Sequence, residues 1–455
     1  MELREALHTQ PMRRLQITII ALCILLTMID GYEVLVMALV APHLAKAWTL
    51  GPVQVGYLLS AGVFGMAVGA ALVSPLADVI GRRRHIIVCL ALIALGMGLS
   101  SIATSVAQLL AARAFAGLFI GAIISSLNIV ASEYSSDRRR GTVMGIYGIG
   151  LPLGSALGGA VTSPLIQQYG WRAPFVFGAL LTLVALVLVV VALPESIDYL
   201  IEKRPRRALE QYNRIAAKLG CAPAAALPAP VTSRRMQVVR TALFSDIMLW
   251  RTGFLWLGYS CLIAAFYFSN TWTAKLIADA SGDPALGIRT TVFIQVGGVF
   301  GSLVFAALSI AIRPRLAAAL ILFAGAIAYL LYANQLHHVE AALALALLVG
   351  LGANGGVAAF YAISPSVYAT VHRSKGVGLM IAFGRGIAIL VPIFTGYVLK
   401  AGWTPQDAYQ LFGGVLVLAG VATVLLDRSY RGRSENPETP EATAWSAATP
   451  GRAPA

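Results

Sequence analysis

Long apolar runs separated by short polar connections dominate the sequence. Twelve runs can be distinguished, and they cover residues 17–40, 53–76, 85–104, 107–133, 142–167, 173–193, 249–272, 288–311, 316–333, 339–368, 377–399 and 408–426. About 20 consecutive apolar residues are enough for a helix to cross the hydrocarbon core of a bilayer. The pattern therefore predicts an all-α integral membrane protein with twelve transmembrane helices.

The central polar segment divides the runs into two groups of six, which predicts two pseudo-symmetric six-helix bundles. The predicted parts are an N-terminal segment 1–16, a first bundle 17–193, a central loop 194–248, a second bundle 249–427 and a tail 428–455. In the loop, four apolar residues recur at helical spacing after Pro205 and predict an amphipathic helix on the cytoplasmic surface: Leu209, Tyr212, Ile215 and Leu219. The tail is rich in Pro, Ala, Thr and Glu, and we predict that it is disordered.

A weak internal repeat supports the two groups. Arg140-Gly141 opens the fifth run and Lys375-Gly376 opens the eleventh, at an offset of 235 residues, and both runs are rich in glycine with an internal proline. Two parallel repeats with a binding site between them are an architecture typical of transporters.

Composition agrees with this class of protein. Only 12% of the 455 residues are charged and 58% are hydrophobic. A folded soluble domain needs a more polar surface, so a soluble enzyme, a secreted disulfide scaffold and a disordered chain are all disfavoured. The four cysteines have no paired spacing, and the sequence predicts no metal site and no cofactor.

The net charge of +14 raises the question of a nucleic-acid partner. Of the 34 Lys and Arg residues, 27 lie in the N-terminal segment, the even-numbered loops, the central loop with its edge, and the tail, and five lie in the odd-numbered loops. This asymmetry is the positive-inside pattern. It predicts that both termini are cytoplasmic and that no nucleic acid binds.

Few ionisable residues fall within the apolar runs away from their ends. They are Asp30 and Glu33 in the first run, Arg113 in the fourth and Arg385 in the eleventh, while Glu133 ends the fourth. An intramembrane charge costs at least about 2.5–3.5 kcal/mol, so it usually has a partner and a function.

Asp30 and Glu33 lie three residues apart and therefore share a helix face. At about 1.5 Å per residue, Asp30 and Arg113 lie at similar depths and can form an ion pair. Burial disfavours the charged form of a carboxylate and a neighbouring arginine favours it, so opening and closing such a pair can load and release a proton. A purely structural ion pair is the alternative.

Arg385 lies near the middle of its run, between Gly384 and Gly386. The runs of the second group contain no acidic residue except at their ends, which suggests that the partner of Arg385 is a carboxylate of the transported molecule. Packing against helix carbonyls is the alternative. Polar and aromatic residues near this level are candidates for contacting such a molecule, each against the alternative of helix packing: Tyr32, Tyr267, Tyr361, Asn128 and Asn354, and further Tyr147, Phe266, Phe360 and Asn270.

The loop after the second run carries the candidate gating residues Asp78, Gly81, Arg82 and Arg83. Residues 74–83 resemble the loop signature Gly-x-x-x-Asp-Arg-x-Gly-Arg-Arg/Lys of the major facilitator superfamily and depart from it at Ser74 and Val79. The resemblance implies that Asp78 faces a helix amino terminus across an inner gate, while the arginines sit at the headgroups, where a purely topogenic role is the alternative.

Further matches make the whole chain resemble the aromatic acid:proton symporter family within this superfamily. They are Asp30-Gly31 with Glu33 in place of a second Asp, Arg113 with Gly117 and Gly121, Glu133-Tyr134, Pro194-Glu195-Ser196, and Gly384-Arg385 with Pro392. The resemblance implies proton-coupled import of a small aromatic carboxylate across the inner membrane of a bacterium, by a protein that is not an enzyme and functions as a monomer. It implies proton coupling at Asp30, Glu33, Arg113 and Glu133.

Three alternatives stay open. A drug:proton antiporter would carry a fifth-run signature ending in Gly-Pro-x-x-Gly-Gly, but this chain reads Gly150-Leu151-Pro152 without the adjacent Gly-Pro pair. A transporter of a non-aromatic organic acid on the same fold is the second alternative. A sensor is the third, although the sequence contains no signalling domain.

Overall fold

The structure is a computed structural model that describes residues 9–228, 246–335, 339–368 and 373–430, together with Leu3 and Leu7. Of the tail that we predict to be disordered, the residues after Tyr430 lie outside this range. Most of the predicted N-terminal segment before residue 9 and part of the central loop also lie outside them.

Twelve helices are long and apolar enough to cross a membrane, which confirms the predicted all-α, multi-pass fold. They are called the first to twelfth spans below, and their helices cover Arg14–Ala47, Pro52–Leu72, Arg82–Ile102, Val106–Glu133, Arg140–Tyr169, Ala173–Ala192, Asp246–Ser281, Pro284–Ala311, Pro314–Asn334, Val339–Val367, Arg373–Lys400 and Pro405–Arg428. Most helices extend a few residues beyond the apolar runs, because helical backbone continues into the polar residues at each end.

The connections add short helices on the side of the membrane where the first span begins. Ser74–Leu76 forms a 3-10 turn and Ala77–Ile80 one helical turn between the second and third spans. The predicted amphipathic helix is confirmed as Ala208–Lys218, which buries Tyr212 and Ile215. A second loop helix, Ile197–Lys203, was not predicted, because its seven residues are too few for a clear periodic pattern.

The chain forms two compact units. The first comprises Met1–Arg234, Asn270–Val296 and Ile389–Trp403, and the second comprises Arg235–Ser269, Gly297–Ala388 and Thr404–Ala455. The predicted bundle boundaries at 17–193 and 249–427 stay a prediction.

The first span lies at the centre of the first unit. In its most apolar stretch 72% of the residues are buried, compared with 28% in the sixth span, so most of its side chains face other helices. Asp30 and Glu33 of this span are therefore surrounded by protein.

Glycines let the first and fifth spans approach closely. A Cβ atom on Gly31 would overlap the carbonyl oxygen of Leu151, and one on Gly154 would overlap that of Met28. The Ser155 hydroxyl donates a hydrogen bond to the Gly31 carbonyl at 2.7 Å. Small residues at such contacts allow helix backbones to pack tightly in a membrane. The glycine beside Asp30 thus holds the first span against the fifth.

The second and fourth spans pack in the same way. A Cβ on Gly117 would overlap the carbonyl oxygen of Gly62, and one on Gly121 would overlap that of Met66. These close contacts fix the rotation of the fourth span, and with it the direction in which Arg113 points.

Aromatic rings fill the core of the second unit. Phe268 of the seventh span stacks on Phe412 of the twelfth with ring centroids 4.2 Å apart. The Tyr329 hydroxyl of the ninth span donates a hydrogen bond to the Ala265 carbonyl at 2.8 Å. These contacts hold the seventh span, which contributes Tyr259 and Tyr267 to the site described below.

Candidate functional site

The two carboxylates of the first span are fully buried, Asp30 with 2% of its surface exposed and Glu33 with none. Residues three apart on a helix point about 60° apart, and the two side chains reach different neighbours. Glu33 accepts a hydrogen bond at Oε1 from the Thr182 hydroxyl of the sixth span. Asp30 lies within electrostatic range of Tyr147 on the fifth span and Cys89 on the third. One span therefore presents two carboxylates to two different environments.

Both carboxylates keep an oxygen available for a proton. Asp30 Oδ2 and Glu33 Oε2 are buried and have no hydrogen-bond partner among the described residues. A buried carboxylate oxygen without a hydrogen-bond donor adds to the cost of the charged form. This arrangement favours protonation of these side chains when they are closed off from water.

Arg113 lies beside Glu33 rather than Asp30. Its Nη2 donates to the backbone carbonyl of Glu33 at 2.8 Å and its Nη1 contacts Met97 Sδ at 3.1 Å. Its nearest electrostatic neighbours are Glu33 and Tyr32. The ion pair considered for Asp30 and Arg113 is not among the ion pairs of the described residues, because the tight packing of these spans turns Asp30 toward the third and fifth spans.

Tyr32 packs inside the first unit. Its hydroxyl donates to the Pro174 carbonyl at 2.7 Å, and its ring meets Phe177 edge-on at 5.6 Å. The role of Tyr32 as a substrate contact stays a prediction. In this structure its hydroxyl group already donates its hydrogen bond to the sixth span.

Arg385 of the eleventh span lies among tyrosines of the second unit. The Tyr259 hydroxyl donates to the Tyr361 hydroxyl at 3.4 Å, and both Tyr259 and Tyr267 interact electrostatically with Arg385. Tyr361 keeps 49% of its surface exposed. We call these four residues the Arg385 cluster. It brings together three of the residues singled out in the sequence: Arg385, Tyr267 and Tyr361.

Tyr259 was not singled out, because it is an isolated polar residue in an apolar run and nothing local marks it. In the structure the Tyr259 ring packs against Gly384, where a Cβ atom would overlap it. The glycine beside Arg385 therefore accommodates a tyrosine ring.

No carboxylate among the described residues forms an ion pair with Arg385. The guanidinium is half-buried, so its charge is only partly hydrated. An arginine in this setting offers a planar two-point contact to a carboxylate. The cluster combines that contact with aromatic rings.

The two asparagines lie in different settings. Asn354 is buried, donates to the Gly350 carbonyl at 3.4 Å and packs against Gly298. Asn128 is exposed on the fourth span, which belongs to the first unit. Neither is placed beside Arg385 by a described contact, and their substrate roles stay predictions.

Glu133 holds the end of the fourth span to the second loop helix. Its Oε1 accepts the backbone N–H of Asp198 at 3.0 Å and its Oε2 accepts the Ser196 hydroxyl at 2.7 Å. Arg82 Nη1 lies 3.8 Å from Glu133 Oε2. A carboxylate at a helix amino terminus can accept hydrogen bonds from the backbone N–H groups that have no partner within the helix. Proton coupling by Glu133 stays a prediction, and these contacts favour a structural role.

The loop signature is bonded to the segment after the sixth span. Arg83 donates its backbone N–H to Glu195 Oε1 at 2.9 Å and its Nε to the Leu193 carbonyl at 2.7 Å. Arg82 Nη1 donates to the Ser196 hydroxyl at 3.0 Å. Both arginines therefore make specific contacts within the protein, and a gating or a topogenic role for them stays a prediction.

Asp78 remains at the surface of this loop. Its side chain is 69% exposed and lies 3.3 Å from Arg82 Nη2. An exposed ion pair of this kind contributes little to stability. A gating role for Asp78 stays a prediction.

Gly81 is required by the backbone of this loop. Its φ is +97°, and a Cβ there would meet Glu195 Oε2 at 2.5 Å. We expect Gly81→Ala to destabilise the protein by about 1–3 kcal/mol, the usual cost of forcing a side chain into such a conformation. Thermal unfolding of purified protein in detergent measures the change. Gly141→Ala is the control, because a Cβ there meets nothing within 4 Å, and equal melting temperatures for the two variants would contradict the prediction.

The described residues contain no group of three or more His, Cys, Asp and Glu side chains able to hold a metal ion. The four cysteines are free thiols.

Comparison with known proteins places the chain in a family. The model of the Major Facilitator Superfamily matches residues 20–334 and 283–452. The 4-hydroxybenzoate transporter PcaK of Pseudomonas aeruginosa is 29% identical over 93% of this chain and 94% of its own length. The gallate transporter of Pseudomonas putida is 30% identical over 90% of this chain and 92% of its own length.

Solved structures agree on the fold. The inward open xylose transporter XylE from Escherichia coli superimposes with a TM-score of 0.69 at 15% identity and covers 94% of this chain and 99% of its own. At this identity the likeness concerns the fold alone, and it confirms the predicted major facilitator fold. The family model, the relatives and the fold together show that this chain belongs to the major facilitator superfamily and is a membrane transporter, not an enzyme.

Proposed function

We propose that this protein imports a small aromatic carboxylate, such as a hydroxybenzoate, across the bacterial inner membrane together with protons. The Arg385 cluster is the observation that carries the proposal. A guanidinium without a described acidic partner supplies a site for the carboxylate, and the neighbouring tyrosine rings supply apolar faces and hydroxyl groups. The names of the relatives, a 4-hydroxybenzoate and a gallate transporter, support the same substrate class.

In the proposed mechanism the substrate carboxylate binds Arg385, and Tyr259, Tyr267 and Tyr361 surround its ring. Protonation of Asp30 and Glu33 removes two buried charges from the centre of the first unit, which lowers the cost of changing conformation in an alternating-access cycle. Both termini are cytoplasmic in this proposal, and the monomer is the functional unit.

Proton coupling has an energetic reason. Moving one negative charge inward against a potential of 100 mV costs about 2.3 kcal/mol. One accompanying proton cancels this cost and leaves the pH gradient to drive uptake. The two buried carboxylates provide places for the proton during the crossing.

Transport by purified protein in proteoliposomes tests the proposal. We expect radiolabelled 4-hydroxybenzoate to accumulate when the outside is made acidic, and a protonophore to abolish accumulation. Excess unlabelled benzoate should compete, whereas benzamide and an aliphatic acid such as succinate should not. Accumulation that survives the protonophore would contradict proton coupling, and stronger competition by succinate would favour the non-aromatic alternative.

The drug antiporter alternative makes the opposite prediction in the same vesicles. A cationic drug would move outward against protons and 4-hydroxybenzoate would not be taken up. The Arg385 cluster disfavours it, because a guanidinium at the site repels a cationic drug.

A further inference from the structure

The Thr182 hydroxyl of the sixth span lies between two oxygen atoms inside the first unit. Its side chain is fully buried, and its Oγ1 lies 2.8 Å from the carbonyl oxygen of Gly178 and within hydrogen-bonding distance of Oε1 of Glu33. A peptide carbonyl can only accept a hydrogen bond, and so can a charged carboxylate. The threonine hydroxyl has a single hydrogen to donate. While Glu33 is charged, that hydrogen can therefore satisfy only one of the two oxygens.

A proton on Glu33 satisfies both contacts at once. A protonated carboxyl gains one O–H donor, so Glu33 can donate to Thr182 Oγ1 while Thr182 donates to the Gly178 carbonyl. When the proton leaves, the hydroxyl turns its hydrogen toward Glu33, and the Gly178 carbonyl keeps its bond to the helix backbone. Neither oxygen has to move, because only the hydrogen of the hydroxyl changes direction. The same contact therefore serves both protonation states of a fully buried carboxyl.

We propose that Thr182 is a positioning residue for the coupled proton: its hydroxyl accepts a hydrogen bond from protonated Glu33 and donates one to the charged carboxylate. This inference rests on the proposed proton coupling at Glu33, and it names the group that lets this carboxyl bind and release a proton while it is buried. A neighbour that served only one of the two states would fix Glu33 in that state.

The neighbouring charged groups leave this task to Thr182. Arg113 donates from Nη2 to the backbone carbonyl of Glu33 at 2.8 Å, and none of the ion pairs of the described residues joins it to the Glu33 carboxylate. The other titratable groups that interact with Glu33 are Asp30 and Tyr32 of the same span, and the Tyr32 hydroxyl donates to a backbone carbonyl. Among the described side chains, Thr182 is the one that hydrogen-bonds to the Glu33 carboxyl.

A threonine with a purely structural role would make fewer contacts. A buried threonine of a helix can donate to the carbonyl four residues earlier, as Thr290 of the eighth span does with Leu286 at 2.9 Å. That bond uses the only hydrogen of the hydroxyl. Thr182 makes the same bond to Gly178 and in addition faces a carboxyl oxygen, so a packing role leaves the second contact unexplained.

Infrared spectroscopy of the purified protein tests the contact directly. The carbonyl stretch of a protonated carboxylic acid gives a band that disappears when the acid ionises, and the part of the band that is lost in Glu33→Gln belongs to Glu33. We expect Thr182→Val to shift the disappearance of this band to higher pH by about half to one pH unit. Valine has nearly the shape of threonine but offers the charged carboxylate no donor, and a hydrogen bond to a charged group is about twice as strong as one between neutral groups.

Two further variants accompany this measurement. Thr182→Ser keeps the hydroxyl and should titrate like wild type. Thr290→Val removes a buried hydroxyl that makes the same kind of backbone bond, and it should leave the Glu33 band unchanged.

Transport in proteoliposomes provides the second readout. We expect Thr182→Val to reduce accumulation of radiolabelled 4-hydroxybenzoate in a pH gradient by up to about tenfold, the factor that corresponds to one pH unit. Counterflow, the exchange of labelled for unlabelled substrate, should continue in this variant, because the carrier can stay protonated throughout. Thr182→Ser should retain both activities.

An unchanged titration of the Glu33 band in Thr182→Val would overturn the inference, as would the absence of a Glu33 band or a Thr182→Ser variant that titrates like Thr182→Val. Equal loss of accumulation and counterflow in Thr182→Val would indicate a structural role and overturn it as well. The proposed function fails by a different observation, because wild-type protein without proton-driven accumulation is recognised before any variant is made, whereas the infrared titration needs no transport.

Discussion

Asp30→Asn should abolish proton-driven accumulation of 4-hydroxybenzoate while exchange of labelled for unlabelled substrate continues. Asparagine has nearly the same shape as aspartate but cannot bind and release a proton. Asp30 is buried and an oxygen of its carboxylate has no described hydrogen-bond partner, so the neutral amide fits the site without loss of an ion pair. Uptake into vesicles with an imposed pH gradient and counterflow without one measure the two activities separately.

Two comparisons make this result specific. Asp279→Asn is the control, because Asp279 is an exposed carboxylate paired with Lys275, and it should accumulate substrate normally. Glu33→Gln should have a similar or milder effect, because Thr182 and Arg113 already compensate part of the charge of Glu33. Glu33→Asp should retain activity if coupling depends on the two aspartates that the aromatic acid:proton symporter family carries at these positions. Undiminished uphill uptake by Asp30→Asn would show that Asp30 does not carry the coupled proton.

Arg385→Ala should weaken binding of 4-hydroxybenzoate by about one to two orders of magnitude. A hydrogen bond to a charged group contributes about 1.5–3 kcal/mol, and each 1.4 kcal/mol corresponds to about a tenfold change in affinity. Arg385→Lys should lie between wild type and Arg385→Ala, because lysine keeps the charge but loses the planar two-point contact. Titration calorimetry of purified protein in detergent measures these affinities.

The amide of the substrate, 4-hydroxybenzamide, separates carboxylate recognition from a general loss of structure. It carries no charge, so its weak binding should differ little between wild type and Arg385→Ala. Arg313→Ala, which removes an exposed arginine of the second unit, should bind the acid like wild type. Equal weakening of acid and amide in Arg385→Ala would make Arg385 a structural residue, and the carboxylate site would have to be sought at Arg113.

Arg113 is a poorer candidate on structural grounds. Its guanidinium already donates to the Glu33 carbonyl and contacts Met97, and the side chain is buried within the first unit. An incoming carboxylate would have to displace those contacts. The Arg385 cluster, with a half-exposed tyrosine beside a half-buried guanidinium, offers readier access.

The sequence alone predicted the twelve spans, the amphipathic loop helix and the residues that carry intramembrane charge. These features are local, because the length of an apolar run and the spacing of four apolar residues can be counted along one stretch of chain. A charge inside an apolar run is equally visible, so Asp30, Glu33, Arg113 and Arg385 needed no tertiary information.

Only the tertiary structure decided what those residues contact. The direction of a side chain depends on the rotation of its helix, which distant contacts such as Gly31 against Leu151 determine. For this reason Arg113 lies beside Glu33 instead of Asp30, and Tyr259 joins Arg385 from a different span. Glu133 likewise caps a loop helix more than sixty residues away. Spacing along a single chain segment determines where a helix forms, whereas partners on other helices are determined by close packing between segments far apart in sequence.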